Sequence, residues 1–178
     1  MNICGYYPES INEGEGLRAV LFFSGCRHRC PGCFNPKTWN FNYGEVFTPE
    51  RRREIITEIA DNPLLDGLTL AGGDPFFSAE GAADFIHELR AELPGFPVWI
   101  YTGYTYEELT ASPGSPEWNL LALCQVVIDG RFVEELKDTT LPYRGSSNQR
   151  IIDIPASLAR DKVILWEPAL SFKGHKSR

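Results

Sequence analysis

Short apolar runs alternate with helical patterns along this chain, and that alternation restricts its fold more than any other feature. The runs have the length of strands and cover residues 19–23, 68–70, 98–101, 126–128 and 163–166. Apolar residues at helical spacing mark Pro49 to Ala60 and Ala79 to Leu93, with Thr48 and Ser78 placed to begin these helices. Alternating strands and helices predict an α/β fold with mainly parallel strands and right-handed crossovers.

The length of the chain favours one domain. Its 178 residues are enough to bury a proper core but fewer than the roughly 250 of a complete eight-fold barrel. We therefore expect a single domain over residues 1–178, built as an open partial barrel. Residues 112–116 (Ser-Pro-Gly-Ser-Pro) are predicted to form a loop between two short helices. Residues from about 167 to 178 are predicted to be a mobile, basic C-terminal tail.

Segments rich in glycine, cysteine or charged residues follow four of the predicted strands. A cysteine-rich loop follows the first, and the next three are followed by Gly72-Gly73-Asp74, Thr102-Gly103 and Asp129-Gly130-Arg131. Ligands of parallel α/β folds gather at the carboxyl ends of the strands, because the loops there vary without disturbing the packed sheet. The sequence therefore predicts one shared active face.

The cysteine-rich loop carries Cys26, Cys30 and Cys33, three thiols within eight residues. They are too closely spaced for a disulfide framework, and the chain has five cysteines, an odd number. Three thiolates can hold three corners of a [4Fe–4S] cube and leave the fourth iron to a ligand that is not protein. A zinc site is the alternative, but it needs a fourth ligand, for which His28 and Cys4 are the local candidates.

The cysteine spacing resembles that of the radical S-adenosylmethionine superfamily. Further segments, in their order and separation, resemble the activating proteins of anaerobic ribonucleoside-triphosphate reductases, which are glycyl-radical activating enzymes. The similarity runs from about Tyr6 to about Ile154. Besides the cysteines, it rests on Gly72-Gly73-Asp74-Pro75, Tyr101-Thr102-Gly103-Tyr104, Asp129-Gly130-Arg131-Phe132 and Arg144-Gly145-Ser146-Ser147-Asn148-Gln149.

The resemblance implies a radical SAM partial barrel and an oxidoreductase activity. Cys26, Cys30 and Cys33 would hold the cluster, and the amine and carboxylate of S-adenosylmethionine would chelate the open iron. Reductive cleavage would give methionine and a 5′-deoxyadenosyl radical, which takes hydrogen from a glycine in the large subunit of the anaerobic reductase. The expected partners are that subunit and an electron donor such as flavodoxin or ferredoxin.

The resemblance also implies a set of cofactor-binding residues. The backbone of Gly72 and Gly73 would approach the methionyl group, and Asp74 would accept hydrogen bonds from its ammonium, although the superfamily usually has glutamate there. Asp129 would pair with Arg131 or help to hold a cation, and Arg131 would meet the cofactor's carboxylate or the cluster. The remaining candidates are Thr102, Ser146, Asn148 and Gln149. The alternatives to cofactor binding are a tight turn for Gly72-Gly73-Asp74-Pro75, a surface ion pair for Asp129 and Arg131, and an ordinary polar loop for residues 144–149.

Several other residues have simpler interpretations. Arg27, Arg29 and Lys37 would ease reduction of an anionic cluster, or belong to an ordinary solvated loop. Cys124 is predicted to be a core thiol and His87 a surface histidine, while Cys4 has no assigned role.

Charge and motifs exclude several functions. The net charge of −7, from 24 acidic and 17 basic residues, argues against binding nucleic acid or an anionic membrane. The lack of a leader or a span-length apolar stretch predicts a cytoplasmic protein. The sequence contains neither a Ser-His-acid set nor a phosphate-binding loop, so it gives no support to a hydrolytic function.

Two kinds of protein are the alternatives to a reductase activase. One is a radical S-adenosylmethionine enzyme acting on a small molecule or on another glycyl-radical enzyme, and the other is a zinc-binding interaction module.

Overall fold

A computed structural model describes residues 1–168, which form a single mixed sheet of seven strands in an α/β fold. The spatial order of the strands is β3-β1-β2-β4-β5-β6-β7. The central four, β2, β4, β5 and β6, run parallel, and β1, β3 and β7 are antiparallel to their neighbours. Their bounds are Asn2–Ser10 (β1), Arg18–Phe23 (β2), Glu45–Val46 (β3), Gly67–Gly72 (β4), Val98–Tyr101 (β5), Val126–Asp129 (β6) and Arg150–Asp153 (β7).

Residues 1–168 contain five α-helices, of which the first four lie between strands and the fifth follows β7. They are Pro49–Asp61 (α1), Ala79–Glu92 (α2), Tyr106–Thr110 (α3), Pro116–Ala122 (α4) and Ile154–Arg160 (α5). The two predicted long helices and the loop between α3 and α4 are confirmed. Thr48 caps α1 as predicted, since its hydroxyl accepts the Arg51 N–H at 3.2 Å. Ser78 also precedes its helix but makes no capping hydrogen bond, because a 3₁₀ turn over Pro75–Ser78 leads directly into α2.

Alternating side chains bury both faces of the sheet. Val98, Ile100 and Val127 belong to the main core beneath the helices. Trp99 and Ile128 point to the opposite face, where they form a second cluster with Val126, Ile151 and the partly buried Tyr101, Tyr143 and Trp166. The sheet therefore has one face covered by helices and one covered by loops.

Two predictions concern the C-terminal part of the chain. The apolar run 163–166 is not a regular strand, because Leu165 makes only an isolated bridge with Ile152. Most of the predicted tail, residues 169–178, lies outside the described residues. No helix within residues 1–168 is long and apolar enough to span a membrane.

Candidate functional site

A cavity of about 510 Å³ opens on the loop-covered face, at the carboxyl ends of the parallel strands. Every chemically distinctive segment of the sequence contributes to its wall. The lining includes Cys26, Cys30, Cys33, Gly72, Gly73, Thr102, Gly103, Gly130, Arg144, Gly145 and Gln149. The structure thus brings these segments to one site, because β2, β4, β5 and β6 all end at the same edge.

The three loop cysteines are free thiols and are partly exposed at the cavity wall. Burial raises the pKa of Cys26 to about 11. Burial also raises the pKa of Cys30, while the Phe132 backbone N–H and the positive charge of Arg131 act in the opposite direction. Cys26 therefore carries its proton at neutral pH until a metal displaces it.

This donor set fits a [4Fe–4S] cluster. Among residues 1–168, no three His, Cys, Asp or Glu side chains converge closely enough to hold one metal ion. A zinc site needs four ligands around a single point, so the arrangement does not favour the zinc alternative. A cube does not require such convergence, because each thiolate binds its own iron.

Gly72 and Gly73 bring two stretches of backbone together at this wall. The Gly73 N–H donates to the Phe23 carbonyl at 2.7 Å, and the Asp74 N–H donates to the Gly25 carbonyl at 2.9 Å. A Cβ on Gly73 would lie 2.5 Å from the Gly25 carbonyl oxygen, and Gly72 has a φ of +101°. These glycines are therefore required for β4 to approach the start of the cysteine loop, and they leave their backbone at the cavity surface.

Asp74 lies behind the cavity wall and is only 1% exposed. Its Oδ1 accepts the Phe76 N–H at 3.0 Å. Its Oδ2 lies 2.9 Å from the Thr102 hydroxyl, 2.9 Å from the Gly103 N–H and 2.8 Å from Nε2 of His28. The carboxylate is thus occupied by the protein's own groups, and its predicted bond to a cofactor's ammonium finds no support in this arrangement.

His28 is a residue whose role the sequence did not reveal. Its ring packs edge-on against Tyr104, with centroids 4.7 Å apart, and tilted against Phe77 at 5.2 Å. Gly103 makes room for this ring, because a Cβ there would lie 2.4 Å from a ring carbon. The partner carboxylate is 46 residues away in the sequence, so no local pattern identifies the contact.

Asp129 pairs with Arg150 rather than with Arg131, so that prediction was wrong. Nε of Arg150 lies 3.0 Å from Oδ1 of Asp129, and Nη2 contacts Oδ2. The reason is the register of β6 and β7, which places Arg150 directly opposite Asp129. Arg131 lies beyond the end of β6 and is exposed. Since Arg150 already balances the Asp129 charge, the arrangement does not favour a cation there.

The loop before β7 is held by its own polar groups. The Ser146 hydroxyl is buried and accepts the Val133 N–H at 3.2 Å. Asn148 donates to the Arg131 carbonyl at 2.8 Å. Gln149 accepts the Gly145 N–H at 2.9 Å and donates to the Gly130 carbonyl at 3.0 Å. Ser146 and Asn148 therefore brace the segment after β6 outside the main cavity, and Gln149 is the member of this set that lines it.

Two unpartnered donors at the cavity were also missed. Within the described part of the chain, the indole N–H of Trp39 and Nε of Arg144 are buried without a hydrogen-bond partner, and both residues line the cavity. Buried donors are normally satisfied, so these two groups suit a polar ligand in this space.

Cys4, His87 and Cys124 do not line the cavity. Cys124 is a buried core thiol whose pKa burial raises to about 12. Cys4 lies on β1 with its Sγ 3.5 Å from the Phe22 carbonyl oxygen, outside the cavity that the three loop cysteines line. His87 is exposed on α2.

Comparisons with known proteins agree with this donor set. A family model described as a 4Fe-4S single cluster domain matches residues 12–152. The chain is 41% identical over 152 residues to the anaerobic ribonucleoside-triphosphate reductase-activating protein of Escherichia coli K12, covering 84% of this chain and 96% of that protein. It is 39% identical to the protein of the same name from Haemophilus influenzae, covering 85% and 97%. The corresponding protein of Enterobacteria phage T4 is 35% identical, covering 85% and 93%.

Proposed function

This chain belongs to the anaerobic ribonucleoside-triphosphate reductase-activating protein family, and on that premise we propose that it generates a glycyl radical on the large subunit of that reductase. It is an iron–sulfur activase that cleaves S-adenosylmethionine reductively. The observation that carries the proposal is that three free thiols and the ends of four strands line one cavity.

Cys26, Cys30 and Cys33 would hold the cluster at the cavity wall. When bound, the cluster would supply the electron that cleaves the sulfonium of S-adenosylmethionine into methionine and a 5′-deoxyadenosyl radical. With three protein ligands, one iron would remain for the cofactor's amine and carboxylate. The fold that we propose is the open partial barrel of radical S-adenosylmethionine enzymes, formed as one domain; the parallel strands β2, β4, β5 and β6 support this.

The rest of the cavity is suited to the organic cofactor. Its volume of about 510 Å³ lies within the range of small-molecule sites, which is roughly 300–1,000 Å³. The backbone of Gly72 and Gly73 and the side chain of Thr102 form one wall. The unpartnered donors of Trp39 and Arg144 would meet the cofactor's polar groups.

The substrate that we propose is a protein loop. A chain of 178 residues that already builds a seven-stranded sheet has few residues left to close a lid over a small substrate. A glycine-bearing loop of the reductase would then close the open side. Arg27, Arg29 and Lys37 are exposed on and beside the cysteine loop, where they would face an anionic electron donor such as flavodoxin or ferredoxin.

The decisive experiment combines the anaerobically reconstituted chain, S-adenosylmethionine, a reductant and the anaerobic reductase. We expect a glycyl electron-spin signal on the reductase together with 5′-deoxyadenosine. A Cys33→Ala protein should give neither, whereas the matched Cys124→Ala protein should give both. Rapid turnover of a small metabolite without the glycyl signal would instead assign a different radical enzyme, and a colourless protein containing zinc would assign the interaction module.

A further inference from the structure

We propose that His28 is a positioning residue, which fixes the cysteine loop against the ends of β4 and β5 by donating to Asp74. This inference rests on the proposed function, because the loop matters only if it carries the cluster. It concerns a residue that lies between two of the thiols without being a ligand itself.

The His28 ring is held on several sides. Only 5% of its side chain is exposed, and the Asp74 side chain that it contacts is 1% exposed. Tyr104 and Phe77 pack against the ring, and Gly103 leaves the space that it fills. A ring enclosed in this way cannot turn without disturbing its neighbours.

The direction of the hydrogen bond follows from the other groups around Oδ2 of Asp74. The Gly103 N–H donates to that oxygen. The Thr102 hydroxyl accepts the Tyr104 N–H at 3.1 Å, so its own hydrogen is free to point to Asp74. An oxygen that already accepts from these groups is an acceptor for His28 as well, which places the histidine proton on Nε2.

The cysteine loop has few other attachments. The Gly25 N–H donates to the Thr38 carbonyl at 2.7 Å just before the loop, and the Cys33 N–H donates to the Cys30 carbonyl inside it. His28 makes the side-chain hydrogen bond that ties positions 27–32 to the ends of β4 and β5. The Arg27 guanidinium also lies over the rings of Phe41 and Phe77, and the Phe132 N–H faces Cys30. Cys26 is held as well by its own N–H, which donates to the Trp39 carbonyl at 3.4 Å, so the His28 contact fixes the stretch between Cys26 and Cys30 against β4 and β5.

The same carboxylate also holds the cavity wall. Asp74 binds Thr102 and Gly103, which line the cavity beside the cysteines. One buried acid thus connects the cluster-bearing loop to the wall that would receive S-adenosylmethionine. Loss of the His28 contact would loosen the loop and change the distance between the cluster and the cofactor.

The test compares His28→Ala with His28→Gln, whose amide can still donate, and with His87→Ala, which removes an exposed histidine. Each reconstituted protein is challenged with an iron chelator, and the reduced cluster is examined by electron-spin resonance with and without S-adenosylmethionine. We expect His28→Ala to lose about 10–100-fold in iron affinity and to lose the cofactor-induced spectral change, as for other residues that orient ligands. His28→Gln should recover much of both.

A second variant tests whether the position of the His28 ring, and not the loss of the side chain itself, causes the effect. Gly103→Ala alters neither His28 nor Asp74, yet its Cβ would displace the His28 ring. It should reproduce the iron loss of His28→Ala if the ring's position is what matters. If His28→Ala and Gly103→Ala both retain iron and the spectral change like His87→Ala, the inference is wrong. If the unaltered chain takes up no cluster at all, the proposed function itself fails.

Discussion

Nε of Arg150 lies 3.0 Å from Oδ1 of Asp129 across the antiparallel pair of β6 and β7. Asp129 is 1% exposed, and it also accepts the Tyr106 N–H at 2.8 Å. Arg150 continues outward to Glu107, which it contacts through both terminal nitrogens at 3.0 and 2.8 Å. One arginine thus joins β7, the buried end of β6 and the start of α3.

We expect Arg150→Ala to destabilise the fold. The change leaves the buried Asp129 carboxylate without its main donor, and hydrogen bonds to charged groups contribute about 1.5–3 kcal/mol each. Arg131→Ala is the matched control, because that residue is exposed and makes no ion pair within residues 1–168. Urea unfolding of the two variants should separate them, and equal midpoints would show that the Asp129–Arg150 pair contributes little.

Acid should weaken the outer half of this network. Hydrogen bonds from Arg150 lower the pKa of Glu107 from 4.5 to about 2. A lowered folded-state pKa means that the stabilisation is fully present above about pH 4.5 and is lost as the pH falls towards 2. Glu107→Gln should therefore flatten the stability profile in this interval, measured by thermal unfolding of the metal-free chain. A profile that keeps its full slope would assign the acid sensitivity to other carboxylates.

The sequence was informative wherever local patterns decide the structure. The runs 19–23, 68–70, 98–101 and 126–128 form the parallel strands, because short, wholly apolar segments are buried as strands at the centre of an α/β sheet. β1, β3 and β7 were not predicted, because β3 has only two residues and β1 and β7 contain polar residues. Likewise, the cysteine spacing and glycine pairs indicated the correct edge of the sheet.

The partners of buried charges could not be read from the sequence in the same way. Asp129 and Arg150 are 21 positions apart, and His28 and Asp74 are 46 apart. Such pairings depend on strand register and on which loops cross one another. This is why Arg131, the nearest basic residue in sequence, was the wrong partner for Asp129, and why no local pattern indicates the contact between His28 and Asp74.

Replacing any one of Cys26, Cys30 and Cys33 with alanine should remove cofactor cleavage. Each variant would keep only two of the three thiolates that bind the cluster in the unaltered chain. Cys4→Ala and Cys124→Ala should retain cleavage after reconstitution, since neither thiol lines the cavity. Iron analysis and 5′-deoxyadenosine release provide the measurements. Loss of the cluster in Cys4→Ala, with a dispensable loop cysteine, would mean that the ligands are misassigned.

Gly73→Ala should impair cluster loading as well as cofactor binding. Its Cβ would meet the Gly25 carbonyl at 2.5 Å, so the start of the cysteine loop must shift, and such overpacking costs about 1–3 kcal/mol. Gly5→Ala is the control, because its Cβ would lie an ordinary 3.4 Å from the Phe22 ring. Iron content after reconstitution, together with the unfolding midpoint, should fall for Gly73→Ala and not for Gly5→Ala. Normal iron content with weak cofactor binding would show that Gly73 contacts the cofactor alone.

Arg144→Met should weaken binding of S-adenosylmethionine without affecting the cluster. Arg144 lines the cavity and donates to the Gln149 carbonyl at 2.9 Å, while its buried Nε has no partner within residues 1–168. A charged donor in this position can bind the cofactor's carboxylate or ribose, and its loss should cost about 1.5–3 kcal/mol of binding. Methionine keeps much of the side chain's length, which limits disturbance of the loop.

Anaerobic equilibrium dialysis with labelled S-adenosylmethionine measures this effect directly. Arg160→Met serves as the control, since Arg160 is exposed at the end of α5 and does not line the cavity. The binding loss corresponds to about a 10–100-fold higher dissociation constant at 25 °C. The absorbance spectrum of the cluster should be the same in both variants. If Arg144→Met binds the cofactor as tightly as Arg160→Met with its cluster intact, the free Nε has a role other than cofactor binding.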